Sequence, residues 1–265
     1  MAMKRNAPKA VFLDVDGTLL SFASKKVPES AREAVAGARA AGAKIFIATG
    51  RHKSELGTDD FLREFPFDGH VTQNGAYCYA GGAVLLRAPL GGPSMRALVG
   101  LVERERVACV FCGEHGMFMN SHEPRALALL AKYALPVPPL ADASRALEED
   151  IFQVVPITSG MPGDLPFASV PGAKATRWTD GGYDIVSADV NKWRGILAVI
   201  GSFGIAPEDT AAIGDAENDA EMLACAGHSV AMGNAPDSLK SLAKHTTTHV
   251  DDDGIKNAFA HLFGR

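Results

Sequence analysis

Two aspartates one residue apart, Asp14 and Asp16, follow an apolar run in "FLDVDGTLL" and run directly into a glycine. Burying a carboxylate is costly unless it is paired or binds a cation, so a buried strand that ends on two acids needs a reason. A solvated turn is the simplest one, because Asp and Gly are common turn formers. A calcium loop is excluded: a loop starting at Asp14 would need glycine where Leu19 stands and a bidentate acid where Lys25 stands. Further polar residues follow apolar strand-like runs, Thr49 and Arg51 in "KIFIATGR" and Asp215, Asn218 and Asp219 in "TAAIGDAEND". Lys192 opens the amphipathic stretch "KWRGILAVI". Carboxylates crowded within a few ångströms cannot all stay ionised without compensating charge. A hard divalent ion such as Mg²⁺, bound by one or two carboxylates, fits that need and lets the site accept a phosphate dianion beside Lys192 and Arg51.

The elements that must position these residues alternate in type. "KAVFLDV" reads as a strand, "PESAREAVAGARAAG" as a helix, "AKIFIATG" as a strand and "KSELGTDDFLREF" as a helix. "DGHVTQNGAYCYAGGAVLLR" then gives short strands punctuated by the NG and GG turn pairs. The end of the chain repeats the alternation, with helices in "KWRGILAVIGSFG", "ENDAEMLACAG", "PDSLKSLAKH" and "GIKNAFAHLFG" and strands in "TAAIGD" and "HSVAMG". This β-α-β order implies a parallel sheet, whose function collects at the carboxyl ends of its strands. From residue 83 to 189 the pattern changes to an α+β insertion: helix "SMRALVGLVERER", hairpin "VACVFCGEHGMFMN", the loop "LPVPPL", and strands "IFQVVPIT", "KATRWTD" and "YDIVSA".

Composition narrows the function. A net charge of −5 and no Lys/Arg-rich run argue against nucleic acid. The basic start is too short in apolar residues for a signal peptide or a membrane span, which implies a cytoplasmic chain. Cys78, Cys109, Cys112 and Cys225 are too few and scattered for a disulfide framework. The C-x-x-C at Cys109 and Cys112 falls on a strand, where a separation of three puts the two sulfurs on opposite faces and speaks against zinc.

"DVDGTLL", "ATGR", Lys192 before a helix and "GDAENDAEML", in that order and spacing, resemble the haloacid dehalogenase superfamily. "NGA" at Asn74 to Ala76, the long insertion and "SVAMGNAPDSLK" resemble its Cof-type, subfamily IIB sugar-phosphatase branch. The resemblance covers the whole chain. It implies an α/β protein with a Rossmann-like three-layer α/β/α core, residues 1–82 and 190–265, and an inserted α+β cap of the C2B type, residues 83–189. It also implies a Mg²⁺-dependent phosphatase that hydrolyses small phosphomonoesters, sugar phosphates foremost, through an aspartyl-phosphate. The implied partner is a small phosphorylated metabolite, with no nucleic acid or membrane, for a monomer or weak homodimer.

On that resemblance Asp14 is the nucleophile and Asp16 the general acid and base. Thr49, Lys192 and Asn218 hold the phosphoryl group. Asp14, Asp16 through its backbone carbonyl, and Asp215 hold the metal, Asp219 anchors Lys192 or a metal-bound water, and Arg51 faces substrate or cap. Plainer readings stand beside these: Thr49 as a turn cap, Lys192 as a solvated lysine, Asn218 as the cap of the helix near Glu217, and Arg194 as a rival phosphate contact. Glu114, His115 and Asn120 flank the cap hairpin and are either substrate-specificity residues or exposed turn residues. Two other functions stay open, a phosphomannomutase-like phosphotransferase and a catalytically silent sugar-phosphate-binding protein.

Overall fold

The computed structural model describes residues 7–158, 166–179 and 182–264. The basic start at residues 1–6 and Asp180 at the end of "KATRWTD" lie outside them.

β1 (Ala10–Leu13) is wholly buried because both of its faces carry helices. Val11 and Leu13 pack with α1 (Glu29–Ala40) and α8 (Gly254–Phe263) on one side. Ala10 and Phe12 pack with α5 (Lys192–Phe203) and α6 (Ala220–Cys225) on the other. Such two-sided burial is what a continuous apolar run in a parallel sheet implies. β1 lies between β2 (Lys44–Ala48) and β11 (Thr210–Gly214), parallel to both. Beyond β2 come β3 (Gly69–Thr72), β4 (Tyr77–Ala80) and β5 (Ala83–Arg87), the last two antiparallel. Beyond β11 come β12 (His228–Ala231) and β13 (His245–Thr246), with the short α7 (Asp237–Lys240) between them. Chain order therefore reverses at β1, the switch point where open α/β sheets bind ligands. β5 joins this eight-stranded sheet, so the core sheet continues to Arg87, beyond residue 83 where the insertion is expected to begin.

A second sheet, five-stranded and antiparallel, has the order β7-β6-β8-β10-β9. Its strands are β6 (Ala108–Gly113), β7 (Met117–Met119), β8 (Ile151–Ile157), β9 (Ala173–Thr179) and β10 (Gly182–Ser187). α3 (Gly92–Glu105) covers one face and α4 (Pro124–Lys132) lies against the other. Cys109 packs on the α3 side and Cys112 on the α4 side, the opposite-face arrangement expected of the C-x-x-C.

Several helices are shorter than the sequence predicts. The 53–65 segment splits into a 3₁₀ turn, Lys53–Thr58, and α2 (Asp60–Glu64), because the Asp59 carboxylate caps α2 by accepting from the amides of Phe61 and Leu62. "ENDAEMLACAG" starts as a 3₁₀ turn, Glu217–Asp219, before α6, and only the first four residues after Pro236 are helical in α7. The sequence reading omitted α4.

Candidate active site

Asp14 leaves the end of β1 with its amide bonded to the Ile213 carbonyl at 3.0 Å, so its position is set by the sheet. Lys192, fully buried at the start of α5, donates to Asp14 Oδ1 at 2.7 Å and Asp219 Oδ1 at 2.6 Å. α5 reaches in this far because residue 195 is glycine: a Cβ there would lie 2.6 Å from Val71 Cγ1 and 2.8 Å from Cys78 Sγ. The W-R pair between Lys192 and Gly195 thus spaces the charge one turn from the close contact. Asp219 Oδ2 accepts from the amides of Asp215 at 2.9 Å and Ala216 at 3.0 Å, which folds the loop after β11 back on itself. Asp215 in turn accepts from the Thr18 hydroxyl at 2.6 Å and the Asn234 amide at 3.1 Å. The glycine after Asp16 is required: Gly17 has φ +82°, and a Cβ would lie 2.3 Å from Asp215 Oδ2.

Burial pushes the Asp14 carboxyl up to about 7, with Asp219 and Asp16 adding to the rise and Lys192 opposing it. Asp215 is pushed well above the carboxylate range, first by burial and then by the charges of Asp14 and Asp219. Burial works against the Lys192 ammonium, but Asp14 and Asp219 outweigh it and hold the group above its ordinary value. Four carboxylates, Asp14, Asp16, Asp215 and Asp219, thus meet two cations, Lys192 and Arg51. A hard divalent cation fits that imbalance. Asp14, Asp215 and Asp219 each bring an oxygen within 4.8 Å of the others. Asp219 has one oxygen filled by two loop amides and the other on the Lys192 ammonium, whereas each oxygen of Asp215 accepts a single hydrogen bond, which leaves Asp14 and Asp215 as the better placed carboxylate ligands.

Arg51 lines the cleft and spends most of its guanidinium on a core neighbour. It clamps Asp16 in a two-point pair, Nε to Oδ2 and Nη2 to Oδ1, each 2.7 Å, with Nη1 on the Glu55 carbonyl at 3.0 Å. Thr49 is buried, lines the cleft and accepts the Arg51 amide at 3.1 Å, so the turn-capping reading holds for its hydroxyl. Asn218 caps no helix: Ala216 precedes the turn and the Asp219 side chain does the capping. Its Nδ2 donates to Asn74 Oδ1 at 2.8 Å, and its Oδ1 is buried with no partner among the described residues. Asn74 donates onward to Asp184 Oδ2 at 2.7 Å and Gln153 Oε1 at 3.0 Å, joining the core loop to the second sheet.

A family model for haloacid dehalogenase-like hydrolases matches residues 11–259. The chain belongs to that family. A Bacillus subtilis (strain 168) protein named "Putative phosphatase YkrA" is 30% identical over 255 residues, 96% of this chain and 97% of its own. The solved HAD subclass IIB sugar phosphatase BT4131 superposes with a TM-score of 0.88 at 33% identity, covering 96% of this chain and 98% of that one. A solved HAD phosphatase, BT1666 from Bacteroides thetaiotaomicron, gives a TM-score of 0.86 at 31% identity, with coverage of 97% and 96%. The expected fold and the resemblance to the subclass IIB branch are both borne out by these likenesses.

The cleft of this haloacid dehalogenase-like hydrolase lies between the two sheets and brings Asp14, Asp16, Thr49, Arg51, Asp215 and Asn218 to one end. Lys192 stands behind Asp14. The hairpin candidates do not line it. Glu114 accepts from Tyr77 Oη at 3.1 Å and pairs with Arg87, Asn120 ties the hairpin by accepting the Cys109 amide at 2.7 Å, and His115 is exposed. Arg194 is exposed and bonds to Asp189. Residues the sequence reading missed line the cleft instead. Asp184 is buried on β10, and burial pushes its carboxyl up to about 7 against the hydrogen bond from Asn74. Glu55 is pushed up to about 6 by burial. A carboxylate inside the apolar strand "YDIVS" is a visible signal for Asp184; the apolar wall from α4 carries none.

Proposed function

We propose that this hydrolase is a Mg²⁺-dependent phosphatase acting on small phosphomonoesters through an aspartyl-phosphate on Asp14. One observation carries the reading: Asp14 sits at the switch point, bonded to a fully buried lysine, beside a second aspartate that an arginine holds at two points. An Asp14 carboxylate oxygen forms a bond to phosphorus while the phosphorus–oxygen bond to the alcohol breaks, and Asp16 gives its proton to the departing oxygen. Asp16 then takes a proton from water, whose oxygen attacks phosphorus and releases Asp14 and phosphate. Lys192, Thr49 and Asn218 hold the phosphoryl oxygens, where positioning and charge supply most of the catalysis. Asp14, Asp215 and the Asp16 backbone carbonyl would hold Mg²⁺, which supplies positive charge to the phosphoryl oxygens. Arg51 sets the direction of Asp16, and Asp219 sets Lys192.

The second sheet acts as a cap that excludes water and selects the alcohol. Among the described residues no helix is long and apolar enough to cross a membrane. The expectation of a sugar phosphate draws support from the likeness to BT4131 and none from the walls of the cleft. Phosphate release from a panel of metabolite phosphates tests the reading, with Mg²⁺ and with EDTA. Release that requires Mg²⁺ and vanishes in Asp14→Asn is expected; undiminished release by Asp14→Asn overturns the nucleophile, and transfer to a second alcohol without free phosphate overturns hydrolysis.

A further inference from the structure

The acids occupy one end of the cleft, and the other end is apolar. Gln153, Val155 and Ile157 share one face of β8 at two-residue spacing. Cys112 and Val110 of β6 pair directly with Gln153 and Val155, so the same surface continues sideways. Leu129 and Leu130 of α4 and Leu135 beyond it complete the wall. At the edge of the cleft the Phe22 ring of the core meets the Tyr133 ring of the cap edge-on, with centroids 6.0 Å apart.

Apart from the Tyr133 hydroxyl at the rim, the polar side chains of the lining gather at the acid end, and most of them are engaged there. Gln153 Nε2 donates to the Gly50 carbonyl and Asp184 Oδ1, both at 3.1 Å, and its Oε1 accepts from Asn74. Asp184 accepts from Asn74 and Gln153, and Arg51 is bound to Asp16. Asn218 Oδ1, the buried acceptor without a partner, belongs to the loop after β11, at the phosphate end. A sugar ring carried on the phosphate would press its hydroxyls against valine and leucine side chains that offer neither donor nor acceptor, and a buried hydroxyl without a partner is costly.

We propose that the alcohol this enzyme releases is apolar beyond the carbon that bears the phosphate, an aliphatic or aromatic ring in place of a polyol. The proposal rests on the phosphatase reading and names its substrate class. It separates this enzyme from the sugar phosphatase whose fold it shares.

The test is a matched pair of primary phosphates of one shape, cyclohexylmethyl phosphate and glucose 6-phosphate, with acetyl phosphate as a substrate that has almost no body. A hydrophobic pocket separates such partners by about 10²-fold, so kcat/KM for cyclohexylmethyl phosphate should exceed that for glucose 6-phosphate by about that factor. Leu129→Gln, at a partly exposed position of the wall, should reduce the ratio about tenfold. Glucose 6-phosphate turned over as well as or better than its partner overturns the proposal and leaves the phosphatase reading standing. So does turnover of acetyl phosphate with neither ring compound cleaved. Turnover of none of the three with Mg²⁺ present overturns the phosphatase reading and the proposal together.

Discussion

Replacing Lys192 with methionine keeps the length of the side chain and removes the charge that Asp14 and Asp219 share. With the lysine fully buried, 2.7 Å from one carboxylate and 2.6 Å from the other, the loss leaves two buried acids without their cation. Breaking a buried pair costs about 3–5 kcal/mol. The sign of the pH dependence follows from Asp14, whose carboxyl stands at about 7 in the fold against 3.8 ordinarily. Between those values the folded chain keeps a proton that the unfolded chain has released, so stability falls as pH rises through the window and levels off above it. Without Lys192 the upper edge moves beyond 7. The variant then goes on losing about 1.4 kcal/mol per pH unit where the parent has levelled off. Over 1.5 units this adds about 2 kcal/mol to the gap between the two proteins. Asp215, whose carboxyl Lys192 also pulls down, loses the same counter-charge, which moves the gap in the same direction. Urea unfolding of both proteins in metal-free buffer at pH 7 and 8.5 reads the gap directly. A gap that stays constant between the two pH values, or stays below about 1 kcal/mol at pH 8.5, refutes the argument.

Asp16→Asn should lower kcat by about 10²–10⁴, and by more for alkyl than for aryl phosphates, because only a poor leaving group needs the proton; equal losses on a set of leaving groups count against the acid role. EDTA should abolish turnover and excess Mg²⁺ restore it, as followed by phosphate release, and turnover unaffected by chelation contradicts the charge shortfall around Asp14. Gly195→Ala should cost about 1–3 kcal/mol through overpacking against Val71 and Cys78 and lift Lys192 from its partners; unchanged melting and kcat would show that α5 has room to move. Asn120→Ala should lower stability by about 1–3 kcal/mol through the lost Cys109 and Val107 bonds, with substrate preference unchanged, and a shifted preference would return the hairpin to the substrate site.

The catalytic end of the cleft was legible because each of its core residues directly follows a buried strand or opens a helix, and strand ends in a parallel sheet have one place to go. Asp14, Asp215 and Lys192 meet for that reason alone. Arg51 was placed near them, but its two-point pair with Asp16 was not foreseen, since nothing in "ATGR" tells where so long a side chain turns. The cap end was hidden for a different reason. Leu129, Leu130 and Leu135 reach the cleft because α4 and the residues after it pack on the sheet face that carries Val110 and Ile157, a pairing made only across the fold. α4 itself escaped because "PRALALLAKYALP" runs into the proline-rich "VPPL", which reads as loop.

Asn74 ties the core to the cap mechanically. Its amide nitrogen is held by two cap residues, Asp184 and Gln153, and its carbonyl oxygen by Asn218 of the loop after β11. A cap that parts only slightly would strip these buried groups of their partners while leaving no room for water to replace them, the costliest arrangement for polar atoms. A wide opening solvates all of them at once. A cap that moved on the core would therefore favour positions fully open to solvent or fully shut on the cleft over those between.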